Sequence, residues 1–379
     1  MSPHEILDHF KDREKAIIDS IGEIVDIESP SHNVAQSESV VRRIAEMARD
    51  IPLDLEIERV AAENYGEHLI IHAFSGEAKR FFLLGHTDTV HPIGTNEKNP
   101  TRIEADKFYG CGIFDMKSNI ILMLEALRFF AITGTRPARP ITILLSCDEE
   151  VGSRTGRPLV EREAAAVEAC FVLEPSFDGK VKTGRKGTGM FKLRAHGIPA
   201  HAGLEPEKGA SAIFELSRQI EKIDSFNDPD KGTTVNVCTI KGGTTTNVIP
   251  EHAECEIDVR FSTLMEAARI DAAIRGLSAF DRRVSLEVSG EINRPPMERA
   301  DNVAALYGKA KRLAASFGYD LGEVQVGGAS DGNFVAALGV PVLDGLGIAG
   351  AGAHTLNEHI LVSDVAKRAA LVTMLLISE

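Results

Sequence analysis

The sequence predicts an α/β protein built on a mixed, mostly parallel sheet with flanking helices, interrupted by an α+β insertion. Three observations carry this. The runs Phe81-Phe82-Leu83-Leu84, Ile141-Thr142-Ile143-Leu144-Leu145, Cys170-Phe171-Val172-Leu173 and Pro341-Val342-Leu343 are short, apolar and bounded by turns, as strands covered on both faces of a parallel sheet read. Each run leads into a polar cluster: His86-Thr87-Asp88, Asp148-Glu149-Glu150, Glu174 and, through a glycine-rich loop, His354. Between residues 184 and 291 the texture changes to strict alternation, as in Cys255-Glu256-Ile257-Asp258-Val259-Arg260-Phe261, which marks a strand buried on one face only.

In chain order, the run Phe81-Phe82-Leu83-Leu84 precedes a helix over 116–130, with Ile120, Ile121, Leu124 and Leu127 on one face. Within the insertion, Phe191-Lys192-Leu193-Arg194-Ala195 alternates, as do Val235 and Val237, and helical stretches fall at 209–224 and 264–279. The order β-α-β-β-α-β is the ferredoxin-like split unit, a helical layer on an antiparallel sheet. A helix over 302–317, the strand ending at Leu343 and a closing helix over the last fifteen residues resume the first texture. The expected domains are therefore 1–183 with 292–379, and an inserted 184–291.

A chain of 379 residues with 43% hydrophobic content can bury two cores. Its net charge of −14, without a long Lys/Arg cluster, argues against nucleic acid and against a polybasic membrane anchor. No apolar stretch approaches the ~20 residues of a membrane span. The polar start Met1-Ser2-Pro3-His4-Glu5 is unlike a signal peptide. The five cysteines lie far apart, so a reduced, cytoplasmic protein is expected, with Cys147 and Cys170 as small buried hydrophobes.

In open α/β sheets ligands bind beyond the carboxyl ends of the strands, where these polar clusters converge. Histidine with carboxylates and no cysteine is the ligand set of a hydrolytic zinc site. Taken singly, the members have ordinary readings: His86 as a polar strand cap, Asp115 after Gly110-Cys111-Gly112 as a helix N-cap. Asp88, two residues after His86, suits the carboxylate that fixes a ligating imidazole. Glu149-Glu150 says more, because adjacent carboxylates repel unless a cation or solvent separates them. One can ligate while its neighbour takes a proton from water. With Glu174 and His354 the set reaches two histidines and three carboxylate ligands. That number suits two zinc ions sharing a carboxylate, roughly 3.5–4 Å apart.

At Gly85-His86-Thr87-Asp88-Thr89-Val90, Tyr109-Gly110-Cys111-Gly112-Ile113-Phe114-Asp115-Met116-Lys117, Asp148-Glu149-Glu150-Val151-Gly152-Ser153, Leu173-Glu174-Pro175-Ser176, Pro199-Ala200-His201-Ala202-Gly203 and His354-Thr355-Leu356-Asn357-Glu358-His359 the chain resembles a known family. This is the dinuclear zinc amidohydrolases and peptidases that include glutamate carboxypeptidase, aminoacylase, acetylornithine deacetylase and succinyl-diaminopimelate desuccinylase, the carboxypeptidase branch being most similar. The resemblance implies a zinc-exopeptidase-like catalytic domain with a lid and dimerisation insert. Asp115 would bridge two Zn2+ ions, with His86 and Glu174 on one, and Glu150 and His354 on the other. Glu149 would be the general base and Asp88 the orienter of His86, and a cis peptide would follow Asp115. His201 would reach across a homodimer interface to the oxyanion. One departure is Ser118-Asn119, where family members often carry Gly soon after the Asp-x-Lys.

Substrate contacts are expected from Asn247, whose plainer reading is a turn residue. They are also expected from Arg294, held by Pro295-Pro296, since Arg suits bidentate binding of a carboxylate. By resemblance the loop with Gly328, Ser330 and Asp331 lines the cleft. The expected activity is cleavage of an amide bond next to a free carboxylate, in a small peptide or an N-acyl amino acid. The metal could equally be Co2+ or Mn2+. A non-catalytic binding homologue would lack a ligand or the base, and every such position is filled. A structural zinc protein would favour Cys ligands.

Overall fold

A computed structural model describes residues 1–378, which divide into two compact units. The first comprises Met1–Gly184, Arg299–Gln325 and Ser330–Glu379; the second, Arg185–Glu298 and Val326–Ala329. These bounds differ from the expected 184–291. The stretch after residue 291 stays with the insertion because Arg185 and Met297 exchange two backbone hydrogen bonds of 3.0 Å, and Lys186 N donates to Val326 O at 3.0 Å.

The first unit is built on a six-stranded sheet in the order Leu55–Ala62, Gly66–Ala73, Ile141–Ser146, Arg80–His86, Val167–Val172, Val342–Leu343. Its first two pairings are antiparallel and the other three parallel. Strand Ile141–Ser146 is buried at every position, which is why its sequence does not alternate. The register sets His86 opposite Ser146 and Leu84 opposite Val172. The residues that follow, Glu149, Glu150 and Glu174, therefore start from the same rim as His86.

Helix Ser118–Thr133 packs on Pro3–Val25, on Val362–Ile377 and on strand Arg80–His86. Covered from several sides, it is buried almost all round, rather than along the single face its leucines suggest. It begins two residues later than the periodicity implies, because Asp115 and Met116 have non-helical backbone angles. It ends at Gly134, whose φ of +68° supplies the left-handed cap. Helix Pro3–Val25 starts from a reciprocal cap in which Ser2 Oγ accepts from Glu5 N and the Glu5 carboxylate accepts from Ser2 N.

The second unit is a four-stranded antiparallel sheet, ordered Thr234–Gly242, His252–Phe261, Gly187–His196, Ser285–Arg294. Helices Ala212–Asp224 and Leu264–Arg275 complete the β-α-β-β-α-β order. Leu193, Leu216, Ile257, Phe261 and Ile270 meet in its core, and the alternate residues Glu254, Glu256 and Asp258 lie outside it. Cys147 and Cys170 are buried, and all five cysteines are free. Among the described residues, no helix is long and apolar enough to cross a membrane.

Candidate metal centre

His86 closes its strand and is 1% exposed. Its Nδ1 lies 2.9 Å from the Asp88 carbonyl oxygen. A carbonyl only accepts, so Nδ1 carries the proton and Nε2 is left to face the rim. Nε2 lies 3.1 Å from Asp115 Oδ1 and 3.4 Å from Glu174 Oε1. Asp88 faces the His86 ring with two of its oxygens. Its backbone carbonyl makes the short contact to His86, while its carboxylate stands 3.4 Å from that ring. Asp88 Oδ1 accepts from Glu149 N and Oδ2 from Glu150 N, both at 3.2 Å, and Ser31 Oγ donates to Oδ2 at 2.7 Å. Asp88 thus fastens the Glu149-Glu150 turn to the end of the His86 strand.

Asp115 follows Gly112, which has a φ of +70° and where a Cβ would stand 2.4 Å from Thr89 Cγ2. Only glycine fits that backbone and that approach. The Asp115-Met116 peptide is cis. Asp115 turns Oδ1 towards His86 and Oδ2 towards His354 Nε2, at 3.4 Å. His354 Nε2 is also 3.3 Å from Glu150 Oε1. His354 itself has a φ of +64°, a conformation that costs a non-glycine residue about 1 kcal/mol or more and collects at functional sites. Ligand-capable atoms of His86, Glu149 and Glu174 lie within 4.8 Å of one another, as do those of His86, Asp115 and Glu150.

The charges ask for a cation. Burial pulls the His86 imidazole down, but Asp115, Asp88 and Glu174 together outweigh it and hold its pKa well above the usual value. Asp115 and Glu150 raise His354 to about 10. Burial raises Glu150, partly offset by His354. Glu150 Oε1 is buried, and the His354 imidazole at 3.3 Å is its near partner. Buried carboxylate oxygens set against two imidazoles form a donor set that fits divalent ions, with Asp115 facing both rings. The pH dependence has a definite sign. His354, raised to about 10, holds a proton at pH 7 when no cation is present, and ligation requires a neutral imidazole. Metal uptake near pH 7 should release protons, and affinity should rise with pH until His354 titrates near 10. Calorimetric zinc titration in buffers of different ionisation enthalpy reads this; uptake without proton release would contradict it.

The other predicted residues divide between the units. His201, Asn247, Arg294 and Gly328 belong to the second. There, His201 and Val248 pair in an isolated antiparallel bridge between two loops, and Ala202 N donates to Asn247 O at 2.9 Å, so His201 and Asn247 share one exposed patch. Arg294 is 8% exposed and Gly328 is on the surface. Ser330 and Asp331 belong to the first unit and are 0% and 3% exposed. Ser330 Oγ donates to Asp344 Oδ2 at 2.7 Å, and Asp331 accepts from Ser146 at 2.8 Å and from Ser153. This corrects their expected place as substrate contacts: both side chains are turned inwards and brace strand ends.

Asn119, the departure noted above, is fully buried, and its Oδ1 accepts from Ile348 N at 2.9 Å. A Cβ on Gly347 would stand 2.2 Å from its Nδ2, so the larger side chain is matched by a glycine opposite. Sequence reasoning missed Asp148 as an anchor. Its carboxylate accepts from Thr155 N and Oγ1 at 2.6 and 2.8 Å, fixing the far side of the Glu149-Glu150 turn. It also missed His91 and Glu358, whose positions inside quoted or neighbouring motifs were the only signal. A cavity of about 470 Å³ lined by Arg80, Arg136 and Ile141 lies where these strands begin, at the end opposite to this rim.

The chain has relatives in sequence and in fold. The chain is 27% identical to carboxypeptidase G2 of a Pseudomonas species, over 96% of this chain and 89% of that protein. It is 29% identical to succinyl-diaminopimelate desuccinylase of Alkalilimnicola ehrlichii, over 83% and 87%. In fold it matches aminopeptidase PepT from Bacillus cereus with a TM-score of 0.79 at 24% identity, over 96% and 98% of the two chains. An M20 family metallo-carboxypeptidase from Sulfolobus solfataricus gives 0.72 at 15%, over 95% and 98%. Residues 82–378, which carry every ligand of the candidate centre, match one family throughout, and the chain belongs to peptidase family M20/M25/M40.

Proposed function

We propose that this chain is a zinc-dependent hydrolase that cleaves an amide bond next to a free carboxylate and releases a C-terminal amino acid, as a carboxypeptidase does. The observation that carries the reading is the pair of Asp115 oxygens, one facing His86 and the other His354, with Glu149 in reach of the first cluster. His86, Glu174 and Asp115 would hold one zinc, and Glu150, His354 and Asp115 the second. Bound there, the ions would polarise the scissile carbonyl and acidify a water. Glu149 takes the proton of the attacking water on its carboxylate and passes it to the leaving nitrogen, while the C–N bond breaks.

His201 Nδ1 accepts from Gly203 N and Leu204 N at 3.1 and 3.2 Å. Its proton therefore sits on Nε2, which supports a role as donor to the oxyanion. Removing such a donor costs about 10²–10³ in kcat. A homodimer through the inserted unit is supported by strand Thr234–Gly242, which lies at the sheet edge. Ile240 and Phe214 stand 57% and 71% exposed on that strand and its helix Ala212–Asp224, a surface that invites pairing. Arg294 supports recognition of the substrate carboxylate.

The desuccinylase relatives favour a second reading, removal of an N-acyl group from an amino acid by the same groups. Zinc-loaded protein and His201→Ala, assayed on C-terminal glutamyl peptides and on N-succinyl and N-acetyl amino acids, separate the two. Turnover confined to N-acyl amino acids would move the assignment to a deacylase. Turnover of neither class would end both.

A further inference from the structure

Glu358 lies four residues past His354 and is 1% exposed. Its carboxylate accepts four hydrogen bonds, two on each oxygen. Oε1 takes Phe114 N and Asp115 N, each at 2.9 Å. Oε2 takes Gly112 N at 2.9 Å and faces His91 Nε2 at 2.7 Å. The Glu358 carbonyl accepts from Gly110 N at 3.3 Å. Amides 112, 114 and 115 thus converge on one point, the concave donor array that elsewhere takes a bound anion; here a side chain fills it.

This carboxylate and its donors join three ligand-bearing stretches. His91 lies five residues past His86, the amides belong to the loop that presents Asp115, and Glu358 itself belongs to the loop that presents His354. Asp88 ties the Glu149-Glu150 turn to the His86 strand, while its bonds among the described residues run to Ser31, His86 and that turn. Glu358 supplies the tie to the Asp115 and His354 loops. We propose that Glu358, held by His91, is the positioning residue that sets the bridging Asp115 and His354 at their metal-binding distances. The inference rests on the reading of the rim as a metal centre.

Glu358→Gln tests it. Whichever way the new amide is turned, its NH2 faces at least one backbone N–H, itself a donor, so the loop must rearrange around it. The measurement is zinc affinity of chelator-stripped protein by competition with a chromophoric chelator, with circular dichroism and Tm of the metal-free form alongside. Loss of a group that orients metal ligands typically costs 10–100-fold in affinity. Glu358→Gln should fall in that range, and activity should return as zinc is raised. His91→Leu keeps the carboxylate and its amide bonds but removes one donor. It should weaken zinc by on the order of tenfold, and His91→Gln, which can still donate, should recover most of it.

A purely structural role would lower Tm and leave affinity alone. Zinc binding within twofold of wild type in both Glu358→Gln and His91→Leu would overturn the proposal while the centre stands. Should Glu358→Gln fail to fold, His91→Leu with its Gln rescue decides alone. Wild type that binds no zinc would overturn the centre, and this inference with it.

Discussion

Glu149→Ala is expected to lower kcat by about 10³, within the 10²–10⁴ range of a lost general base, while metal content stays at the wild-type level. The side chain is 8% exposed and shares the first cluster with His86 and Glu174. The Glu149 amide, not its carboxylate, makes the bond to Asp88, so truncation leaves the turn fastened. Metal content by elemental analysis and kcat on the best substrate are the two readings. A variant that keeps kcat within tenfold of wild type would remove Glu149 from the proton path. Loss of metal together with activity would instead make it a ligand. If kcat and kcat/KM fall together, the interaction belongs to the transition state.

Asp115→Asn should have the largest effect on the metals. The substitution keeps size and shape, and the Asp115 backbone amide still reaches Glu358. But a carboxamide has one oxygen where the carboxylate offers two, and in this protein each oxygen faces a different histidine. Zinc content should fall from the proposed two ions per chain to about one or fewer, the second ion of a bridged pair being lost with its shared ligand. Activity should fall with it. Full metal content in the variant would mean that Asp115 is not shared.

Most of the fold was legible because burial leaves a direct mark on sequence. Strand Ile141–Ser146 is covered throughout and reads as an unbroken apolar run. His252–Phe261 is covered on one face and alternates. The candidate ligands stood out because polar residues at strand ends contradict that burial. What stayed hidden depends on atoms that pattern does not encode. The carboxylates of Ser330's neighbour Asp331 and of Glu358 are spent on hydroxyls and amides brought from more than a hundred residues away. Neither their inward aim nor their partners follows from spacing. Asp88 was correctly placed beside His86, yet which of its oxygens does the orienting is a matter of a few tenths of an ångström. The boundary of the insertion moved because Arg185 pairs with Met297 through the backbone, a bond open to any side chain and silent in the sequence.

The Asp88 carboxylate grips two consecutive amides, those of Glu149 and Glu150, and the turn they share is clamped again by Asp148. A proposed ligand and the proposed base are therefore one rigid piece with two carboxylate arms. An ion of different radius that draws Glu150 in or pushes it out carries Glu149 along. In the proposed centre, exchanging zinc for cobalt or manganese would then change proton transfer as well as Lewis acidity, and metal preference would reflect mechanical coupling in the turn along with the chemistry of the ion.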